Sequence, residues 1–260
     1  MSENYWGDRA AKAQAALSNK TIAQTEAQIK KYYRKSFDKT LGEFEKVYNK
    51  IFQDIAKGKT PTPADLYKLD DYWKLQYVLK EELQALGDRQ VAVLSRNFVK
   101  HFESIYESLA LPGELAFQKL DRSAVQQMVN QIWCADGKSW SSRVWTNTSK
   151  LADVLNDHLI HSVATGAKPG ELKKLLQREF DVAYHRADAL VRTEIAHIQT
   201  EAARERYRGY GIREVEVLVD EDERTCPICA KLEGERYSIN ATMPVPAHTR
   251  CRCCIVPVVE

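Results

Sequence analysis

Cysteine is almost missing from the first 225 residues. Cys134 is the only one there, while Cys226, Cys229, Cys251, Cys253 and Cys254 crowd into the last 35 residues. Long apolar runs are missing too. Met1–Ala16 opens with polar and acidic residues and lacks the hydrophobic stretch of a secretory signal or membrane span. This argues against a secreted scaffold stapled by disulfides and for a chain made in a reducing cytosol. There, clustered cysteines point to metal binding or plain burial. A charge excess of one sign is also absent. The 38 basic and 36 acidic residues leave a formal charge of +2, too little for a protein that holds nucleic acid mainly by electrostatics. Residues 1–60 carry 12 basic and 7 acidic side chains, a weak bias that a solvated helix surface explains as well.

What remains is an ordinary globular composition, 44% hydrophobic and 28% charged over 260 residues. No proline interrupts Arg9–Lys57, and Phe37, Leu41, Phe44, Tyr48, Ile51 and Ile55 recur at three- and four-residue steps. That spacing predicts one long amphipathic helix, ended by Gly58-Lys-Thr-Pro61. Its apolar stripe wants a surface, either residues 64–109 of the same chain or a partner. Lys30, Lys31, Arg34, Lys35, Lys39 and Lys46 enrich the opposite side. A second helix is expected over 64–86, closed by Gly87, with Asp88 capping a third that runs to about Leu109. Leu111-Pro-Gly113 marks the main boundary, between 110 and 122, and further helices are expected at about 121–133, 147–164 and 170–208. Asp136–Val144 reads as a loop, with Trp133, Trp140 and Trp145 as core or interface anchors and Cys134 as a small buried hydrophobe.

Val191, Ile195, Ile198 and Ala202 give the last helix an apolar face. Arg192, Glu194 and His197 sit beside it as an expected ion network that fixes the unit that follows. After Gly209 and Gly211 the period changes to two, and Val215, Val217 and Val219 predict a short strand. Cys226-Pro-Ile-Cys229 then places two sulfurs in a tight turn, and His248-Thr-Arg-Cys251-Arg-Cys253-Cys254 follows nineteen residues later. Three cysteines and one histidine make a closed tetrahedral site for one structural Zn2+. Cys226, Cys229 and His248 are three of the ligands, and either Cys251 or Cys253 is the fourth; Cys254 points the other way. Some 50 residues hold too little apolar area to fold firmly alone, which a metal would remedy. The expected class is therefore mainly α, with long N-terminal helices (1–115), a helical body (120–208) and a small zinc-stabilised α+β unit (211–260).

Val191-Arg-Thr-Glu194, Tyr207, Gly211, Asp222-Glu-Arg-Thr-Cys-Pro-Ile-Cys229, Leu232, Gly234 and Pro246-Ala-His248-Thr-Arg-Cys251-Arg-Cys253 together resemble the phage Mu F-like head-morphogenesis family. The resemblance covers roughly 120–260, with Thr249 standing where the family usually has proline. It implies a non-enzymatic minor capsid protein of a tailed bacteriophage or prophage, made in the bacterial cytoplasm and built into the virion near the portal. The portal and other head proteins would be its partners, with transient DNA contact in some relatives and no membrane or small-molecule substrate. Two other classes compete. A metal-dependent nuclease using Glu194 and His197 would need an open coordination position and a base beside it. A zinc-ribbon nucleic-acid module would need a basic surface, whereas residues 171–260 hold 14 basic and 16 acidic side chains.

Overall fold

The computed structural model describes residues 5–59, 61–110, 121–220, 222–223 and 225–259. The Leu111-Pro-Gly113 break, most of the expected 110–122 boundary and Arg224 lie outside the described residues. The chain is mainly helical with a small C-terminal sheet. Its elements are α1 (Tyr5–Ala56), α2 (Pro63–Tyr67), α3 (Asp70–Ser108), α4 (Arg122–Val129), α5 (Trp140–Thr165), α6 (Pro169–Gly209), β1 (Glu214–Leu218), α7 (Pro227–Ala230), β2 (Arg236–Ser238) and β3 (Cys254–Pro257). No described helix is long and apolar enough to cross a membrane.

Contacts group the chain into two compact units, neither continuous in sequence. One takes Ala27–Ala92 and Ser141–Ala187, the other Met1–Glu26, Val93–Trp140 and Asp188–Glu260. In the first unit the expected stripe of α1 is buried through Phe44, Tyr48 and Ile51. Phe37 meets Phe180 edge-on at 5.4 Å, and Tyr48 donates to the Ser162 carbonyl at 3.1 Å. Glu82, also buried, accepts from Ser36 at 2.7 Å, Lys39 at 2.8 Å and Arg89 at 2.7 Å. Three donors on one carboxylate offset the cost of taking its charge out of water.

Two boundaries differ from the sequence expectation. Gly87 does not end a helix, and Asp88 does not cap one, because α3 runs unbroken from Asp70 to Ser108. Gly87 serves close packing instead: a Cβ built there would lie 2.2 Å from the Trp145 ring of α5. Tertiary contact thus overrides the local helix-breaking tendency of glycine. Likewise α5 begins at Trp140 and not at 147, so half of the expected 136–144 loop is helical. Trp140 is buried, edge-on to Phe98 at 5.4 Å, and donates to Asn130 Oδ1 at 3.2 Å. Anchoring that ring fixes where the helix starts.

In the second unit the buried contacts of α1 are mostly polar and uncharged. Along α1, Ser18 and Thr21 flank the buried His101 of α3, each hydroxyl 3.2 Å from one ring nitrogen. Burial pushes the His101 pKa down to about 4, so the ring is neutral at pH 7 and suited to hydroxyl partners. Ser18 also donates to Gln199 of α6, and Thr25 accepts from Asn97 at 2.9 Å. The sheet has order β2-β1-β3, antiparallel throughout, with Val215 opposite Tyr237 and Val217 opposite Ile255. Val215 and Val217 are fully buried, as their alternation predicts. Gln14 of α1 donates to the Ile255 carbonyl at 3.0 Å and so occupies the outer side of β3. Gly211, at φ +72, stops α6, and the Ile212 N–H turns back to the Tyr207 carbonyl at 3.1 Å.

Replacing Gly87 by alanine should destabilise the protein by about 1–3 kcal/mol, the usual cost of overpacking, although alanine is the better helix former. Urea unfolding measures it, and a second change, Trp145→Leu, should recover part of the loss. An unchanged midpoint would show that the Trp145 ring moves aside freely.

Candidate metal centre

Two short turns deliver the donor atoms. In the first, Cys226 precedes Pro227, whose ring fixes the entry into α7, and the Cys229 N–H donates to Cys226 Sγ at 3.4 Å. In the second, the Cys251 N–H closes on the His248 carbonyl at 3.1 Å, with Arg250 at φ +64. Both turns separate their donors by two residues, which turns both side chains to the same side. The donor atoms of Cys226, Cys229 and His248 lie within 4.8 Å of one another, as do those of Cys229, Cys251 and Cys253. Cys229 belongs to both groups. All five residues expected from the sequence are therefore gathered at one place, and Cys254 stands apart in β3, opposite Leu218.

The histidine is already oriented for metal. His248 Nδ1 donates to the Thr249 carbonyl at 2.8 Å, which leaves Nε2 as the lone-pair nitrogen, 3.1 Å from Cys229 Sγ. Fixing the tautomer through the far nitrogen is the usual arrangement around a metal-bound imidazole. Cys229, Cys251 and Cys253 are buried, with Cys229 and Cys251 sulfurs 3.8 Å apart. Burial pushes the Cys229 thiol up to about 12, whereas the hydrogen bond from Cys253 holds Cys251 well below the usual thiol range. A cluster with one favoured thiolate and further sulfurs at contact distance is poorly satisfied by protons alone. A soft divalent cation would neutralise several sulfurs at once. The residues fit zinc.

Arginines brace the two turns. Arg252, between Cys251 and Cys253, bonds Asp222 at 2.6 and 2.8 Å and also pairs with Asp220, both in the lead-in to Cys226. Thr225 shapes that lead-in by donating to the Asp220 carbonyl at 2.7 Å. Arg250 reaches the other way, to Asp188 of α6 at 2.5 Å, and its N–H donates to Thr193 at 3.1 Å. Arg192 bonds Asp188 at 3.1 Å and pairs with Glu26 of α1. Arg204 holds the segment after β2 through the Ile239 and Ala241 carbonyls, the latter at 3.1 Å.

The expected polar network on α6 therefore divides. Arg192 and Thr193 work with the metal loop, but Glu194 accepts from Trp133 Nε1 at 3.0 Å and His197 stacks on the same indole at 4.4 Å. Both are buried, and burial pushes His197 down to about 4. A cleft of about 890 Å³ opens beside the sulfur cluster, between α1, α6 and the loop carrying His248 and Arg252; Glu194 and His197 are not among its lining residues. Sequence reading missed Glu26, Asp188 and Arg250. The Cys/His spacing and the expected Arg192 pointed here, but an ion pair spanning 62 residues leaves no local pattern.

Residues 153–256 match the family described as Phage Mu protein F like protein. The match covers two fifths of the chain, from within α5 through β3, and includes every candidate ligand. No curated protein matches the chain, and no solved structure does.

The Glu26–Asp188 pair gives a pH test. Burial, and then the hydrogen bond to and charge of Asp188, raise Glu26 to about 7 despite Arg192 and Arg250. Burial also disfavours the Asp188 carboxylate, but the hydrogen bond from Glu26 and the two arginines outweigh it and lower its pKa. Glu26 thus favours the folded state when protonated. Its contribution is complete below the unfolded value near 4.5 and is lost as pH rises through about 7. Glu26→Gln should therefore flatten the decline of stability between about pH 4.5 and 7 in urea titrations. A variant that keeps the wild-type slope would refute the assignment.

Proposed function

We propose that this is a non-enzymatic minor head protein of a tailed bacteriophage or prophage, carrying one structural zinc in its C-terminal unit. The observation that carries the reading is the convergence of four sulfurs and one imidazole nitrogen inside the segment similar to the phage Mu F family. Cys226, Cys229, His248 and Cys251 are the proposed ligands, since each pair comes from a two-residue-spaced turn. Cys253 would then hydrogen-bond the Cys251 sulfur as an outer partner. Four protein ligands close the coordination sphere and leave no position for a substrate or activated water, which supports a structural role over hydrolysis. When bound, the zinc would supply charge neutralisation and cross-linking of the two turns. The portal and neighbouring head proteins are the proposed partners, with residence in the virion.

Washed protein should contain close to one zinc per chain by elemental analysis. Cys251→Ser should lose the metal while Cys253→Ser retains it; the reverse pattern would exchange their roles. Cys226→Ser should make the region after about residue 211 protease-sensitive and leave most helical signal intact. For assembly, the protein should copurify with portal-containing proheads and not with portal-free controls. Metal-dependent DNA cleavage by the purified protein that is absent from a mock purification would sink the non-enzymatic reading.

A further inference from the structure

The loop that carries His248 and Cys251 is seated on α6 and α1 by a run of ionisable side chains which no metal ligand requires. Arg250 occupies a left-handed conformation that residues other than glycine seldom adopt, φ +64. Such a residue persists where its surroundings hold it. Here two contacts do so: the backbone N–H on Thr193 at 3.1 Å, and the guanidinium on Asp188 at 2.5 Å. Exposed ion pairs usually contribute little, and the Arg250 side chain is 47% exposed. Its partner is not, since the Asp188 side chain is only 11% exposed. Asp188 is also shared. Arg192 holds its other oxygen at 3.1 Å and continues to Glu26 of α1. One buried carboxylate therefore connects the turn between two metal ligands with the first 26 residues of the chain.

We propose that Asp188 is a positioning residue for the metal centre, and that the run Glu26–Arg192–Asp188–Arg250 couples zinc affinity to the seating of α1. The inference rests on the zinc site proposed above. With Asp188 in place, the turn that carries His248 and Cys251 is held in position before zinc arrives. Without it, binding must first order the turn. Coupling of this kind is reciprocal: if α1 seating tightens zinc binding by some factor, zinc tightens α1 seating by the same factor. A partner that lifts the first part of α1 away would then weaken the metal site at a distance.

Two variants test this in the full chain. Asp188→Asn keeps size and hydrogen-bonding capacity but loses the charge. Arg250→Gly removes the ion pair while making the backbone conformation easier. Zinc affinity, read by competition with a chelator of known strength, should fall about tenfold to a hundredfold in both, the range for outer partners of metal ligands. If the turn's conformation alone mattered, Arg250→Gly would bind as well as wild type or better. Hydrogen exchange supplies the second readout. Chelation of the wild type should speed exchange over residues 5–26, and Asp188→Asn should show that faster exchange with zinc still bound. Helical signal monitored throughout separates these effects from unfolding. Wild-type protein that takes up no zinc overturns the metal site and the coupling together. Zinc uptake with both variants within twofold of wild type, or exchange in α1 indifferent to metal, overturns the coupling alone.

Discussion

Strands of five, three and four residues cannot close a core between them. They bury Val215, Val217, Ile255 and Val256, which is too little apolar surface to offset the ordering of some fifty residues. Everything distinctive about the C-terminal unit follows from that shortage. Sulfur takes the place of missing hydrocarbon, in two turns joined by Arg252 to acidic residues and by Arg250 to α6. Sulfurs this close and this buried repel one another once ionised, a repulsion that a bound cation would relieve. In the same unit α6 buries Val191, Ile195, Ile198 and Ala202, apolar area that the sheet lacks.

Along α1 the two units use different means of fixing one helix. In one, Phe44, Tyr48 and Ile51 bury hydrocarbon around one charged contact, Ser36 and Lys39 on the Glu82 carboxylate. Gln14, Ser18 and Thr25 bury polar atoms with partners far along the chain, on Ile255, His101 and Asn97. A buried hydroxyl or amide that misses its partner costs roughly 1–3 kcal/mol, whereas a made bond contributes about 1. The polar seam therefore defines the register of the first part of α1 by penalty more than by attraction. That property suits a segment that lines one cleft with the loop carrying the candidate ligands.

Helices and the strand were legible because their signals are periodic and local. The stripe from Phe37 to Ile55 and the alternation of Val215 and Val217 each needed only a few neighbouring residues to be read. The Cys/His cluster was legible for the same reason, since spacing within each turn is a local property. Gly87 misled because its purpose lies 58 positions away, under the Trp145 ring, where a glycine admits a close helix and a breaker would not. Trp140 misled similarly: serine and glycine around it suggest a loop, yet Phe98 and Asn130 hold the ring and start α5. Glu26 and Asp188 were invisible altogether. A single acid on each of two helices reads as surface until the fold brings them together between two arginines.

The likeness to the phage Mu F family begins at residue 153 and excludes α1 and α3. The contacts do not respect that limit. Within the unit that holds the sulfur cluster, Gln14 bonds β3, Glu26 reaches the pair beneath the metal loop, and Arg206 lies buried between Tyr106 of α3 and Tyr210, at 4.8 and 4.6 Å. A buried arginine facing two rings is stabilised by their electron-rich faces, and half of that support comes from outside the matched stretch. The segment that carries the family's motif is thus physically completed by residues that carry none. Their demands on sequence are also looser, because a helix surface that must supply one amide, one carboxylate and one aromatic ring can be written in many ways. The match therefore marks where the likeness lies, residues 153–256, and not where the packing around the sulfur cluster ends.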